Sequence, residues 1–246
     1  MFLGSPDKVY IIDKVEGNPT QIGGHPAFAS VWSALSPSRS LYSKFRNRDL
    51  NTRTATVVDA QTNPFCAAGM HLPNASYAVF GGNSAVGPGG NDSDAGSSTT
   101  YDPEYNDYDG RRAIRIITSC EGSVTQAPCS WYDAENGLQM QVQRWYPAAE
   151  ALANGTVVLI GGFTSGGYIN RNLPNVDPTY EGGQATPTFE FFPSTGAPQV
   201  MQFMTKTSGL NAYALTFLMP SGKMFVQANY STSYVDSIPP SLIFIR

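Results

Sequence analysis

The feature that most constrains this chain is a short unit that returns along it: an apolar residue, a tight turn, a strand of four or five residues and a glycine pair. MHLPNASYAVFGGN at 70–83 and EALANGTVVLIGGF at 150–163 carry it in full. FLMPSGKMFVQANY at 217–230 keeps a turn at Ser221-Gly222 but has Gln227-Ala228 in place of the glycines, and MFLGSPDKVYIID at 1–13 is fainter again. Copies at this spacing point to blades of a β-propeller with long decorations, because kelch blades, about 50 residues long, carry glycine pairs after such strands. A β-sandwich also has hairpins at regular intervals, and the glycine pairs favour the propeller. The fold class read here is all-β, a kelch-like β-propeller.

The second full copy sets three local expectations. A residue before proline is restricted to extended backbone, so Tyr146, preceding Pro147, is expected to begin or end a strand with its ring in a defined direction. Asn154-Gly155 is expected to take two consecutive positive φ angles in a two-residue hairpin turn. Thr156 to Ile160 puts β-branched and apolar side chains on both faces, as a strand packed between layers needs.

Among 246 residues there are 24 glycines and 18 prolines, which argues against a helical protein. No apolar run reaches the roughly 18 residues of a membrane span. A net charge of -4 leaves no global footprint for nucleic acid or anionic lipid, so neither is expected as a partner. Ser36 to Arg53 gathers Arg39, Lys44, Arg46, Arg48 and Arg53 without periodic apolar positions and reads as a solvated loop. The N-terminus lacks a basic region, a long apolar stretch and a cleavage site, so no signal peptide is read in it. Gly81 to Gly96 is too glycine-rich for regular structure and is expected as a surface excursion. The acidic stretch Tyr101 to Asp109 has no EF-hand order.

Chemistry-bearing residues are few. Cys120 and Cys129 enclose a short loop that suits a local disulfide, leaving Cys66 over. Asn74, Asn91, Asn154 and Asn229 head glycosylation sequons, and asparagines beside small polar residues are equally what turns are made of. His25 and His71 lack the spacing of a zinc pair and are read as structural. Cys66 stands four residues before Met70 and Tyr146 four before Glu150, at the entrances to the two full copies. In a propeller such equivalent positions point to one end of the central channel and could meet. The alternative is an inert buried cysteine and a packed tyrosine.

NPFCAAGMHLPNASYAVFGGN, RWYPAAEALANGTVVLIGGF, GGYINRN and KTSGLNAYALTFLMPSGKMFVQAN together resemble, over nearly the whole chain, the N-terminal part of glyoxal oxidase. That family comprises fungal extracellular copper radical oxidases related to galactose oxidase. The resemblance implies a seven-bladed kelch-type propeller, of which this chain holds about four blades, and a C-terminal β domain absent here. It implies oxidation of simple aldehydes, glyoxal and methylglyoxal, to carboxylic acids while dioxygen becomes hydrogen peroxide.

Cys66 in NPFCAAGM matches the cysteine that the family joins to a tyrosine by a thioether, and Tyr146 in RWYPAAE matches that tyrosine, also a copper ligand and the radical site. The resemblance places the remaining ligands, an axial tyrosine beside a histidine and a second histidine, beyond Arg246, and neither His25 nor His71 lies in a matching motif. Copper(II) prefers a tetragonal nitrogen and oxygen set, so this polypeptide is expected to bind no catalytic copper and to be inactive as it stands. Ser36 to Asn51 reads as an insertion relative to the family. By resemblance the complete protein is extracellular and monomeric, with a small aldehyde and dioxygen as its partners.

Overall fold

The computed structural model describes residues 1–5, 8–33, 55–89, 99–118, 130–134, 137–164, 185–207, 212–228 and 231–235. The expected Cys120–Cys129 disulfide, the 36–51 insertion and the sequons at Asn91 and Asn229 lie outside these residues.

The described residues are mostly β, in several small antiparallel sheets. β1 (Phe2–Ser5) and β2 (Lys8–Ile12) open the first; after a ribbon of β3 (Gln21–Ile22) and β4 (His25–Pro26), β5 (Ala29–Ser33) and β6 (Ala55–Val57) complete it in the order β1-β2-β5-β6. The second sheet contains β7 (Ala68–His71) and β8 (Tyr77–Phe80). A ribbon of β9 (Tyr101–Asp102) and β10 (Asp107–Tyr108) follows, and then β11 (Ile114–Ile117), which pairs with β8. The third runs β12 (Ala148–Ala151), β13 (Val157–Ile160), β14 (Thr188–Phe192) and β15 (Gln199–Val200). A short helix, α1 (Gln202–Lys206), leads towards the fourth: β16 (Leu215–Leu218), β17 (Met224–Ala228) and β18 (Ser231–Val235).

The hairpins β1–β2, β7–β8, β12–β13 and β16–β17 fall on the four copies of the sequence unit. Three of them share one turn. The N–H groups of Leu72, Leu152 and Met219 donate to the carbonyls of Ser76, Thr156 and Lys223 at 2.8, 2.8 and 2.9 Å. Their own carbonyls accept from Ala75, Gly155 and Gly222 at 3.0, 2.9 and 2.8 Å. Those last three residues are left-handed, with φ of 65°, 83° and 79°. The expectation for Asn154-Gly155 is therefore corrected: only Gly155 takes a positive φ. Asn154 instead uses its side-chain oxygen to accept the Thr156 N–H at 3.0 Å, the short-range bond that favours Asn in turns. The two-residue turn with paired positive φ occurs at Gly23-Gly24, φ 59° and 86°, between the paired residues Ile22 and His25.

β13 is buried on both faces, as its apolar run predicts. One face, Val157 and Leu159, packs with Ala78, Phe80 and Ile114 of the second sheet; the other, Val158 and Ile160, packs with Met224, Val226 and Ala228 of the fourth. Tyr10 and Val31 of the first sheet meet Val79 and Ile117 of the second. Neighbouring sheets thus stack face to face, and β12 lies beside both β7 and β16.

Gly81 to Gly87 departs from the expected surface excursion, because it is buried. Its backbone finds partners inside: Asn83 N–H donates to the Asn63 carbonyl at 3.2 Å, the Asn63 side chain donates to the Ser84 carbonyl at 2.8 Å, and Val86 N–H donates to Asp107 Oδ2 at 3.1 Å. Buried backbone is stable when paired in this way, and absent side chains let the strands of chain approach.

Candidate functional site

The Arg144–Trp145–Tyr146 segment runs between the two glycine pairs. Gly82 N–H donates to the Arg144 carbonyl at 3.2 Å, and Trp145 and Phe163 exchange backbone bonds at 2.7 Å each. A Cβ on Gly81 would collide with the Arg144 carbonyl, and one on Gly162 would sit 2.7 Å from the Trp145 carbonyl. The glycines that mark the repeat thus make room for this segment.

Two fully buried arginines fix these crossings. Arg115 donates to the Gly81 carbonyl at 2.7 Å and Arg144 to the Gly161 carbonyl at 2.7 Å, the same role in successive copies. Arg144 also donates to the Thr188 carbonyl and hydroxyl at 2.9 Å each and to Glu190 Oε1 at 2.9 Å. Burial lowers the pKa of its guanidinium, against the pull of Glu190.

With its neighbours pinned, Tyr146 meets Cys66. Tyr146 N–H donates to the Cys66 carbonyl at 2.9 Å, and both side chains pack against the Trp145–Phe163–Ala185 cluster. Tyr146 stands two residues before β12, but its φ is 58°, which corrects the extended backbone expected ahead of a proline. Backbone hydrogen bonds on both sides hold it there: its N–H to Cys66, and its carbonyl, which accepts the Tyr213 N–H at 2.9 Å.

Tyr213 is the residue that sequence reasoning missed. It stands four positions before Phe217, the offset that Cys66 keeps to Met70 and Tyr146 to Glu150, and extending that spacing to the third copy finds it. Its ring meets that of Tyr146 edge to face, centroids 4.7 Å apart at 80°, and its hydroxyl donates to the Ala67 carbonyl at 3.2 Å. Cys66, Tyr146 and Tyr213 each precede the first strand of their sheet by two residues, with φ of 60°, 58° and 46°. Non-glycine residues rarely adopt such backbone, and it clusters where structure is held for a purpose.

Trp145 closes the cluster, its ring 4.1 Å from that of Tyr146. Burial pushes the Cys66 thiol up, and the polar groups of Tyr146, Tyr213 and Trp145 facing the sulfur oppose it. Burial pushes the Tyr146 phenol up to about 12, with Cys66 adding to it, and raises the Tyr213 phenol too. At neutral pH the site is a thiol among neutral phenols. Cys66 and Tyr146 are half-buried and Tyr213 is 44% exposed, so reagents can reach them.

The histidines stand elsewhere. His25 is buried with its ring nitrogens 2.9 Å from the Pro26 carbonyl and 2.8 Å from Asp59 Oδ1, an acidic partner 34 residues away that sequence did not reveal. His71 packs on Tyr77 and Phe2. Among the described residues no group of three His, Cys, Asp or Glu side chains forms a metal site. Copper(II) needs several nitrogen and oxygen donors, and the cluster brings phenols and a thiol with no imidazole. The described residues alone therefore do not fit a copper centre.

No family model matches the chain. Over 94 residues, 38% of the chain, it is 26% identical to a WSC domain-containing protein of the fungus Arthroderma benhamiae. The aligned part spans 8% of the length of that relative.

Proposed function

We propose that this chain is the N-terminal portion of an extracellular copper radical oxidase resembling glyoxal oxidase, an incomplete kelch-like propeller of about four blades. In complete form such an enzyme oxidises small aldehydes such as glyoxal to carboxylic acids and reduces dioxygen to hydrogen peroxide. The observation that carries the reading is the meeting of Cys66 and Tyr146, 80 positions apart, at equivalent strained positions of successive copies. Face-to-face stacking of the sheets and the side-by-side β7, β12 and β16 support the propeller.

Joining the Cys66 sulfur to the Tyr146 ring replaces one S–H and one ring C–H by an S–C bond. Two electrons and two protons leave, and dioxygen carries them off as hydrogen peroxide. A sulfur-substituted phenol delocalises an electron hole better than phenol alone, which makes Tyr146 the group that stores an oxidising equivalent. Copper would be completed by ligands from outside the described residues.

A second reading, a non-catalytic propeller used for binding, is favoured by the lack of imidazole at the cluster among the described residues. The intact mass and peptide map of the deglycosylated native product separate the two. The oxidase reading expects a mass well above 26.5 kDa and a Cys66–Tyr146 peptide pair lighter by two hydrogens. A product ending at Arg246 with Cys66 still open to alkylation overturns it.

A further inference from the structure

Tyr213 ties the two other residues together. Its N–H holds the Tyr146 carbonyl, its hydroxyl holds the Ala67 carbonyl next to Cys66, and its ring edge abuts Tyr146. With the Tyr146 N–H on the Cys66 carbonyl, this closes a ring of contacts through the entrances to β7, β12 and β16. The backbone alone does not call for a tyrosine: at φ 46° glycine is the residue without strain, and a ring 44% exposed adds little to the core. What tyrosine supplies and glycine lacks is the hydroxyl and the ring edge.

We infer that Tyr213 is a positioning residue that holds the Cys66 sulfur against the Tyr146 ring before any bond joins them. This rests on the proposed pairing of Cys66 with Tyr146 and adds the residue that maintains it. Without the hydroxyl the Ala67 carbonyl, one residue on from Cys66, loses an anchor, and the sulfur is free to turn from the ring. Without the ring edge, Tyr146 loses one of its two aromatic walls, leaving Trp145.

A copper-free oxidation tests this on the full chain. Ruthenium tris-bipyridyl, persulfate and a light flash oxidise tyrosines; coupling Cys66 to Tyr146 releases two electrons and two protons, and persulfate takes the electrons to become two sulfates. The Cys66–Tyr146 product is counted by peptide mass spectrometry in wild type, Tyr213→Phe and Tyr213→Leu, with thermal midpoints as the check on folding. Tyr213→Phe also removes a competing phenol, so a bystander Tyr213 predicts a higher yield in that variant.

The positioning role predicts the opposite sign: a roughly three- to tenfold lower yield on losing one hydrogen bond, and a lower one still in Tyr213→Leu. Equal or higher yield in folded Tyr213→Phe overturns the inference. So does a wild type that yields no Cys66–Tyr146 product, because the pair is then not held together. A wild type that couples under light, while Cys66 and Tyr146 of the native product stay unjoined, would sink the oxidase reading and leave the positioning role intact.

Discussion

Asp107→Asn is predicted to stabilise the protein at neutral and higher pH, with the gain fading towards about pH 4. Asp107 lies on β10 with no exposed surface; Oδ2 accepts the Val86 N–H at 3.1 Å and Oδ1 has no partner among the described residues. Burial pushes its carboxyl from the ordinary 3.8 to about 7, opposed by the Val86 N–H and His25 and reinforced by Asp102. Unfolded, the group gives up its proton near 3.8; folded, it keeps it until about 7. Between those values the folded state binds more protons, so stability falls as pH rises and the full penalty stands above the folded value. A gap of roughly three units, each about 1.4 kcal/mol, makes that penalty about 4 kcal/mol. Asparagine removes the charge and keeps an oxygen for Val86. Urea unfolding at steps from about pH 4 to about pH 8 should show the two proteins diverging as pH rises, the variant ahead by up to about 4 kcal/mol. A difference independent of pH, or a less stable variant at the alkaline end, would refute the reasoning.

The shared turn predicts a reciprocal pair: Ala75→Gly, relieving a left-handed alanine, should raise stability by about 1 kcal/mol. Gly155→Ala places a Cβ 2.8 Å from Pro73 at φ 83°, and denaturant midpoints should show it lowering stability by about 1–2 kcal/mol. Glu190→Gln strands the buried Arg144 guanidinium and should lower stability by about 3–5 kcal/mol; an unchanged midpoint would mean that the pair does not act as a buried ion pair.

What sequence made legible was local. Turn residues and apolar runs placed all four hairpins because each closes within a few residues. The buried arginines were invisible because their acceptors lie far along the chain: Arg115 reaches the Thr62 hydroxyl across 53 positions and Arg144 reaches Glu190 across 46. The same limit hid Asp59 from His25. Gly81 to Gly87 misled because glycine richness marks both exposed loops and tightly crossed interiors, and only the crossing segment decides between them.

The contrast between two left-handed positions in each repeat bears on function. At the hairpin turn the repeats place Gly155, Gly222 and the smallest chiral residue, Ala75, which is how strain is minimised when only backbone matters. Two residues before the first strand, the same repeats place Cys66, Tyr146 and Tyr213, at a strain of about 1–2 kcal/mol each. A repeat built for stability alone would resolve both positions alike. That it spares the turn and strains the strand entrance, with both tyrosines converging on the Cys66 sulfur, points to a role for those side chains beyond holding the sheets together.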